Sequence, residues 1–271
     1  MKNIFIKLGF ALSLTVTTVG VAVAQTKPAV KALETSPATV LYVGNSFFYY
    51  NNSMHGHVAR IASEGLKGTD QKYRGVSVTI SGSGLDWHDM DSLLRPNGIG
   101  RYSFAPGNKV VFNPPSDKPF DAVIMMDCSQ CPIHETLSKV FTEYTKKHSD
   151  SVRKRGGQPV FFMSWAYKDV PSMTKELADA YTKAGNDNKA LVIPAGLAFA
   201  NSMAKRPDLD LYVPDLRHPS LAGTYLAALT TYGALFGRPT VGLKYDAGLP
   251  KDVAAHLQAV ADETVKSYFG R

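Results

Sequence analysis

Short apolar runs, each stopped by turn residues, alternate along this chain with longer stretches whose apolar positions recur every three or four residues. Thr39-Val40-Leu41-Tyr42-Val43 is the first such run and ends in Gly44-Asn45-Ser46. Bounded by turn residues, it reads as a buried strand. Met54 to Gly65 carries helical spacing, with His57, Val58, Ile61 and Ala62 near one face. Val76 to Ile80 alternates and stops at Ser81-Gly82-Ser83-Gly84, a second strand. Residues 88 to 118 hold Pro, Gly and Asn with few long apolar runs and read as an insertion or long loop. Asp121 to Met126 and Pro159 to Ser164 predict a third and a fourth strand, with a helix from Thr136 to Arg155 between them, closed by Gly156-Gly157. A helix from Met173 to Gly185, a short fifth strand at Leu191 to Pro194 and a helical stretch from Gly196 to Met203 follow. Leu221 to Phe236 is a strongly apolar helix, and Lys251 to Phe269 an amphipathic one.

Strands that alternate with helices predict an α/β domain, a parallel sheet covered on both faces. In such sheets ligands sit beyond the carboxyl ends of the strands. Ser46, Gly82, Asp127 to Gln130 and Ser164-Trp165 all fall just past predicted strand ends. They come from four strands yet are expected to meet on one rim.

Composition narrows this picture at the N-terminus. Lys2 and Lys7 precede an apolar stretch from Leu8 to Val23, and Ala22-Val23-Ala24 offers a small-x-small cleavage site. That pattern predicts a secretion signal over residues 1–24, cleavage near Ala24 and a periplasmic or secreted product. The apolar run is too short and too rich in Ser, Thr and Gly for a membrane anchor, and no stable membrane insertion is expected. Residues 25–37 read as a polar, flexible tail, and 38–271 as one domain. The formal charge of the 271-residue chain is +7. Its cations lie along helix faces rather than in a concentrated stripe, so nucleic acid is not an expected partner. Cys128 and Cys131 are the two cysteines, in Cys-Ser-Gln-Cys. In an oxidising compartment a local disulfide is expected first, free thiols second and redox catalysis third.

The candidate chemistry lies at two places. A serine hydroxyl is a weak nucleophile at neutral pH and needs a base within hydrogen-bond reach, itself oriented by a third group. Ser46 follows the first strand directly, after a glycine that permits a sharp turn. Asp215-Leu216-Arg217-His218-Pro219-Ser220 comes late, just before the helix at Leu221. The Asp-x-x-His spacing lets one carboxylate reach the imidazole of its own loop. Ser46 is therefore the candidate nucleophile, His218 its base and Asp215 the orienting acid. Each motif alone is weak, since Gly-Asn-Ser is also an ordinary turn and Asp-x-x-His-Pro an ordinary capped helix start. Their order and placement are what raise them.

Gly44-Asn45-Ser46-Phe47 after a first strand, together with Asp215-x-x-His218-Pro219 near the C-terminus, resembles the SGNH (GDSL-like) serine hydrolase superfamily over most of the chain beyond residue 37. The resemblance implies a three-layer α/β/α sandwich on a five-stranded parallel sheet, flavodoxin-like in plan. It implies esterase, lipase, thioesterase or carbohydrate deacetylase activity, with no metal or organic cofactor. It assigns Ser46, His218 and Asp215 as the triad, and an oxyanion hole from Ser46 and a glycine N–H, best matched by Gly82 with Gly84 the alternative. The family's third block supplies an Asn in Gly-x-Asn-Asp. This chain has Met126-Asp127-Cys128-Ser129-Gln130 there instead, with Gln130 or Ser129 as the donor in its place.

Among the aromatic residues, Trp87 and Trp165 are the expected ligand contacts, because rim aromatics stack on sugars or hold acyl chains. His55-Gly56-His57 lacks a carboxylate at ligand spacing, and no metal is expected there. The expected activity is hydrolysis of a small-molecule or glycan ester by an acyl-enzyme route. The rival is a glycan- or ligand-binding protein that keeps the fold without turnover. Oligomeric state is not set by the sequence.

Overall fold

The computed structural model describes residues 26–99, 102–112 and 114–271. The strands are β1 (Thr39–Gly44), β2 (Arg74–Thr79), β3 (Tyr102–Ala105), β4 (Lys109–Phe112), β5 (Ala122–Met125), β6 (Gln158–Phe162) and β7 (Leu191–Ile193). The helices are α1 (Ser46–Tyr49), α2 (Met54–Gly65), α3 (Met90–Leu93), α4 (Leu137–Lys154), α5 (Met173–Asp187), α6 (Ala195–Lys205), α7 (Leu221–Phe236) and α8 (Lys251–Phe269). Two 3₁₀ turns, Leu85–Trp87 and Cys131–Ile133, follow β2 and β5.

Five strands form one parallel sheet in the order β2-β1-β5-β6-β7. Its central strands are the continuous apolar runs: Val40–Val43, Ala122–Met125 and Pro159–Phe162 are buried on both faces, as a parallel sheet between helical layers requires. From β1 the chain crosses to β2 on one side through α2, and from β5 it crosses to β6 and β7 on the other through α4 and α5. Right-handed crossovers in opposite directions place those helices on opposite faces. α7 packs on α2 and α8, completing the first layer, while α4 and α5 cover β6. The architecture is the expected three-layer α/β/α sandwich with a five-stranded parallel sheet.

Helix α7 is buried nearly all round, from Ala222 to Leu235, which is why its sequence shows apolar residues on every side rather than a stripe. Ser220 caps it, accepting the Gly223 N–H at 3.3 Å.

Two expectations need correcting. Residues 26–37 do not hang free: the Thr26 N–H donates to Asp179 and the Ala29 N–H to Asn186. Gln158 receives the Glu34 N–H, and Val30 and Leu33 pack against the core. Scattered apolar residues in a polar segment carry no periodicity, so this docking left no pattern to read. The insertion at 88–118 is not all loop, because β3 and β4 pair as an antiparallel hairpin. The predicted signal segment lies outside the described residues.

Candidate active site

The order of the sheet reverses at β1, since the crossover to β2 leaves one way and the path to β5 the other. Loops diverge there and open a crevice at the carboxyl ends. Ser46 stands at that point, the first residue of α1, directly past β1. Gly44 is required by the turn: a Cβ there would come within 2.9 Å of the Phe48 ring. Asn45 caps α1, its Oδ1 accepting the Phe47 N–H at 3.2 Å. Its Nδ2 donates to the Ser83 carbonyl at 3.0 Å and the Asp127 carbonyl at 3.1 Å. One side chain thus ties the ends of β1, β2 and β5 together.

Ser46, His218 and Asp215 are brought into one line. The Ser46 hydroxyl donates to His218 Nε2 at 2.8 Å, and His218 Nδ1–H donates to Asp215 Oδ2 at 2.5 Å. That second bond fixes the tautomer, leaving Nε2 free to accept. The other oxygen of Asp215 accepts the Arg217 N–H at 2.8 Å and the His218 N–H at 2.9 Å. Burial pushes the Asp215 carboxyl up, but the hydrogen bonds from the His218 ring and these two N–H groups outweigh it and hold it below the ordinary carboxylate value. The tight loop forces Leu216 to φ +63°, a region that a leucine enters only under constraint.

The imidazole is clamped on two sides. Tyr50 stacks on it at 4.3 Å, and Phe47 meets it edge-on at 5.5 Å. The loop behind it is held as well. Asn51 donates to the Pro219 carbonyl at 2.9 Å, Arg217 pairs with Asp169 at 2.5 Å, and the Arg217 guanidinium lies 4.0 Å over Tyr167. Tyr50 and Asn51, which support the base and its loop, belong to no motif read from the sequence. Their closeness to Ser46 in sequence was the available signal.

The candidate oxyanion donors divide. Ser46 N–H, at the first helical position, has no intrahelical acceptor. Gly82 sits at φ +72° in the turn closed by Ser83 N–H to the Ile80 carbonyl, and its N–H meets no protein acceptor among the described residues. Gln130 is not brought to the site: it is exposed, and its side-chain amide lies 4.0 Å from Met173 Sδ. Ser129 instead shares a 2.6 Å hydrogen bond with the Tyr167 hydroxyl. The Cys128–Cys131 disulfide folds this loop toward α5, and spacing alone cannot reveal a side chain's direction.

Of the two tryptophans, Trp165 departs from expectation. Trp165 has no exposed surface. It is stacked between Phe47 at 4.7 Å and Phe199 at 4.2 Å, and its Nε1–H donates to the Arg217 carbonyl at 3.0 Å. It braces the histidine loop and offers no surface to a ligand. Trp87 is 59% exposed, but it lines a groove with Tyr144, Lys147 and His148 of α4. The aromatic surface beside Ser46 comes from Tyr49 and Tyr50, which stack on each other at 5.7 Å. His57 is engaged by the Tyr245 hydroxyl and the Asn51 carbonyl, a structural role. A groove of about 680 Å³ between α4 and α5 contains none of the residues in the Ser46 relay.

No family model matches the sequence, and a search of curated proteins returns no relative. Solved structures do share the architecture. A candidate SGNH hydrolase from Slackia heliotrinireducens superposes with a TM-score of 0.54 at 21% identity, covering 73% of this chain and 98% of that one. A DUF4886 family protein from Bacteroides uniformis gives 0.55 at 18% identity, over 83% and 93% of the two chains. An acetyl xylan esterase gives 0.52 at 15% identity, over 72% and 98%. By the order of its sheet and these likenesses, the chain has the fold of the SGNH hydrolases.

Proposed function

We propose that this chain is an exported serine esterase that works through Ser46, His218 and Asp215. The observation that carries the reading is the unbroken relay of 2.8 and 2.5 Å from hydroxyl to imidazole to carboxylate, set at the sheet's switch point. Ser46 Oγ attacks the ester carbonyl while His218 Nε2 takes its proton. The Ser46 and Gly82 N–H groups receive the oxyanion of the tetrahedral intermediate. His218 returns the proton to the leaving alcohol, and the acyl-enzyme is then hydrolysed by water that His218 deprotonates. Asp215 stabilises the imidazolium throughout. Export rests on the sequence pattern of residues 1–24.

The substrate we propose is a small acyl ester, with acetylated carbohydrate the favoured class. An acetyl xylan esterase shares the fold, and Tyr49, 40% exposed beside the site, offers a ring face for a sugar. Two backbone donors without the family's asparagine predict modest turnover, since one oxyanion donor is worth roughly a hundredfold.

The test is turnover of an acetyl aryl ester and of acetylated xylan by the protein beside its Ser46→Ala and His218→Ala forms. Each substitution is expected to lower kcat by about a thousandfold or more, with the fold intact by circular dichroism. A folded parent inactive on acetyl to octanoyl esters and on acetylated glycans would remove the enzyme reading and leave Ser46 as part of a binding cleft.

A further inference from the structure

Asp127, Cys128 and Cys131 form a cluster that ester hydrolysis at Ser46 does not use. The sulfurs are joined in a disulfide around Ser129 and Gln130, and a carboxylate oxygen of Asp127 and both sulfurs lie within 4.8 Å of one another. Cys128 is half-buried, the more exposed of the two, and Cys131 is 9% exposed. The Cys131 N–H donates to Cys128 Sγ at 3.1 Å, a contact that strengthens when the sulfur carries negative charge.

The carboxyl is fixed independently of the disulfide. Asp127 Oδ1 accepts the Leu85 N–H at 3.0 Å and the Cys128 N–H at 2.8 Å. The Asp127 N–H donates to the Tyr181 hydroxyl at 3.3 Å, and the Asp127 carbonyl receives Asn45 Nδ2. Leu85, Tyr181 and Asn45 belong to three other segments, so the group stays beside the sulfurs when the bond opens. No basic side chain pairs with Asp127 among the described residues. Burial pushes its carboxyl up to about 6, against the two N–H bonds and with Asp86 nearby adding to the rise. A buried carboxyl with N–H donors but no cationic partner costs stability once it is ionised.

We propose that Cys128–Cys131 is a thiol–disulfide exchange site in which Asp127 supplies the proton to the departing sulfur. The partner is a dithiol, of a protein or a small molecule. One of its thiolates attacks Cys128 Sγ; the Cys128–Cys131 bond breaks as the mixed disulfide forms. Cys131 leaves with the electron pair and takes the proton from Asp127. The second thiolate of the partner then attacks its own sulfur in the mixed disulfide and expels Cys128, which is protonated by water. The dithiol is oxidised by two electrons to a disulfide and the Cys128–Cys131 pair is reduced by two, while the protons lost by the dithiol return through solvent. Attack at Cys128 follows from its exposure, and proton delivery from the adjacent carboxyl.

The experiment is reduction of the full folded chain by dithiothreitol between pH 5 and 8.5, read as thiols tagged for mass spectrometry and corrected to thiolate concentration. The corrected rate constant is expected to fall by about tenfold or more as pH rises through about 6 and Asp127 loses its proton. Two other titratable groups face Asp127, Asp86 from the 3₁₀ turn and Tyr181 from α5. Asp86→Asn is expected to keep the fall, and Asp127→Asn to abolish it at the lower rate. A flat profile in the parent, the same fall in Asp127→Asn, or a disulfide that resists reduction for hours would each overturn the proposal. The parent's profile decides even if the Asp127→Asn protein does not fold.

Discussion

An indole with no exposed surface cannot touch a substrate, but it can set the angle of the imidazole proposed as the base. Trp165 joins the nucleophile helix, through Phe47, to the backbone of the histidine loop, through the Arg217 carbonyl. Trp165→Phe keeps the stack and removes the donor. The expected result is a kcat lowered roughly tenfold with KM within about twofold, and a loss of about 1 kcal/mol in stability. Steady-state ester turnover and chemical denaturation measure the two. Contacts that are local in sequence, or that follow from strand order, were legible. Ser46 follows a strand and a glycine, and Asp215 lies three residues from His218, so neighbours along the chain are neighbours in space. Trp165 was misread because Phe199, which covers its other face, is distant in sequence. Gln130 was misread because a disulfide-closed loop turned its side chain toward Met173.

At the scale of elements, the sheet was legible because its central strands are buried on both faces and read as unbroken apolar runs. The β3–β4 hairpin was not, because it has no core to face. Tyr102, Phe104, Val110 and Phe112 share one of its faces, opposed in register, and each is at least half exposed. The turn at Pro106-Gly107-Asn108 was the signal available. Because these side chains bury little, Phe104→Ser combined with Phe112→Ser is expected to shift Tm by no more than about 2 °C. A differential scanning calorimetry trace checks this, and a drop of many degrees would mean that the hairpin packs on the domain.

At the scale of the whole molecule, Asp127 links the fold to pH. Its carboxyl is raised from an ordinary 3.8 to about 6, first by burial. The folded state therefore holds a proton that the unfolded chain releases, and stability from this group is greatest below pH 4. It falls as pH rises toward 6 and stays lowered above, by on the order of 3 kcal/mol. Asp127→Asn removes the charge and keeps an oxygen acceptor for the Leu85 and Cys128 N–H groups. The variant is expected to melt several degrees above the parent at pH 8, with the gap narrowing by pH 4.5. Thermal unfolding at the two pH values tests this, and a variant less stable at pH 8 would contradict it.

The central claim is that Ser46 is an activated nucleophile, and covalent trapping tests it most directly. The protein is incubated with a fluorophosphonate, digested, and the adduct located by mass spectrometry. A single phosphonyl group on the peptide containing Ser46, absent from Ser46→Ala and slowed at least about a hundredfold in His218→Ala, is the predicted result. A folded protein that takes no label, or takes it at another residue, would contradict the account.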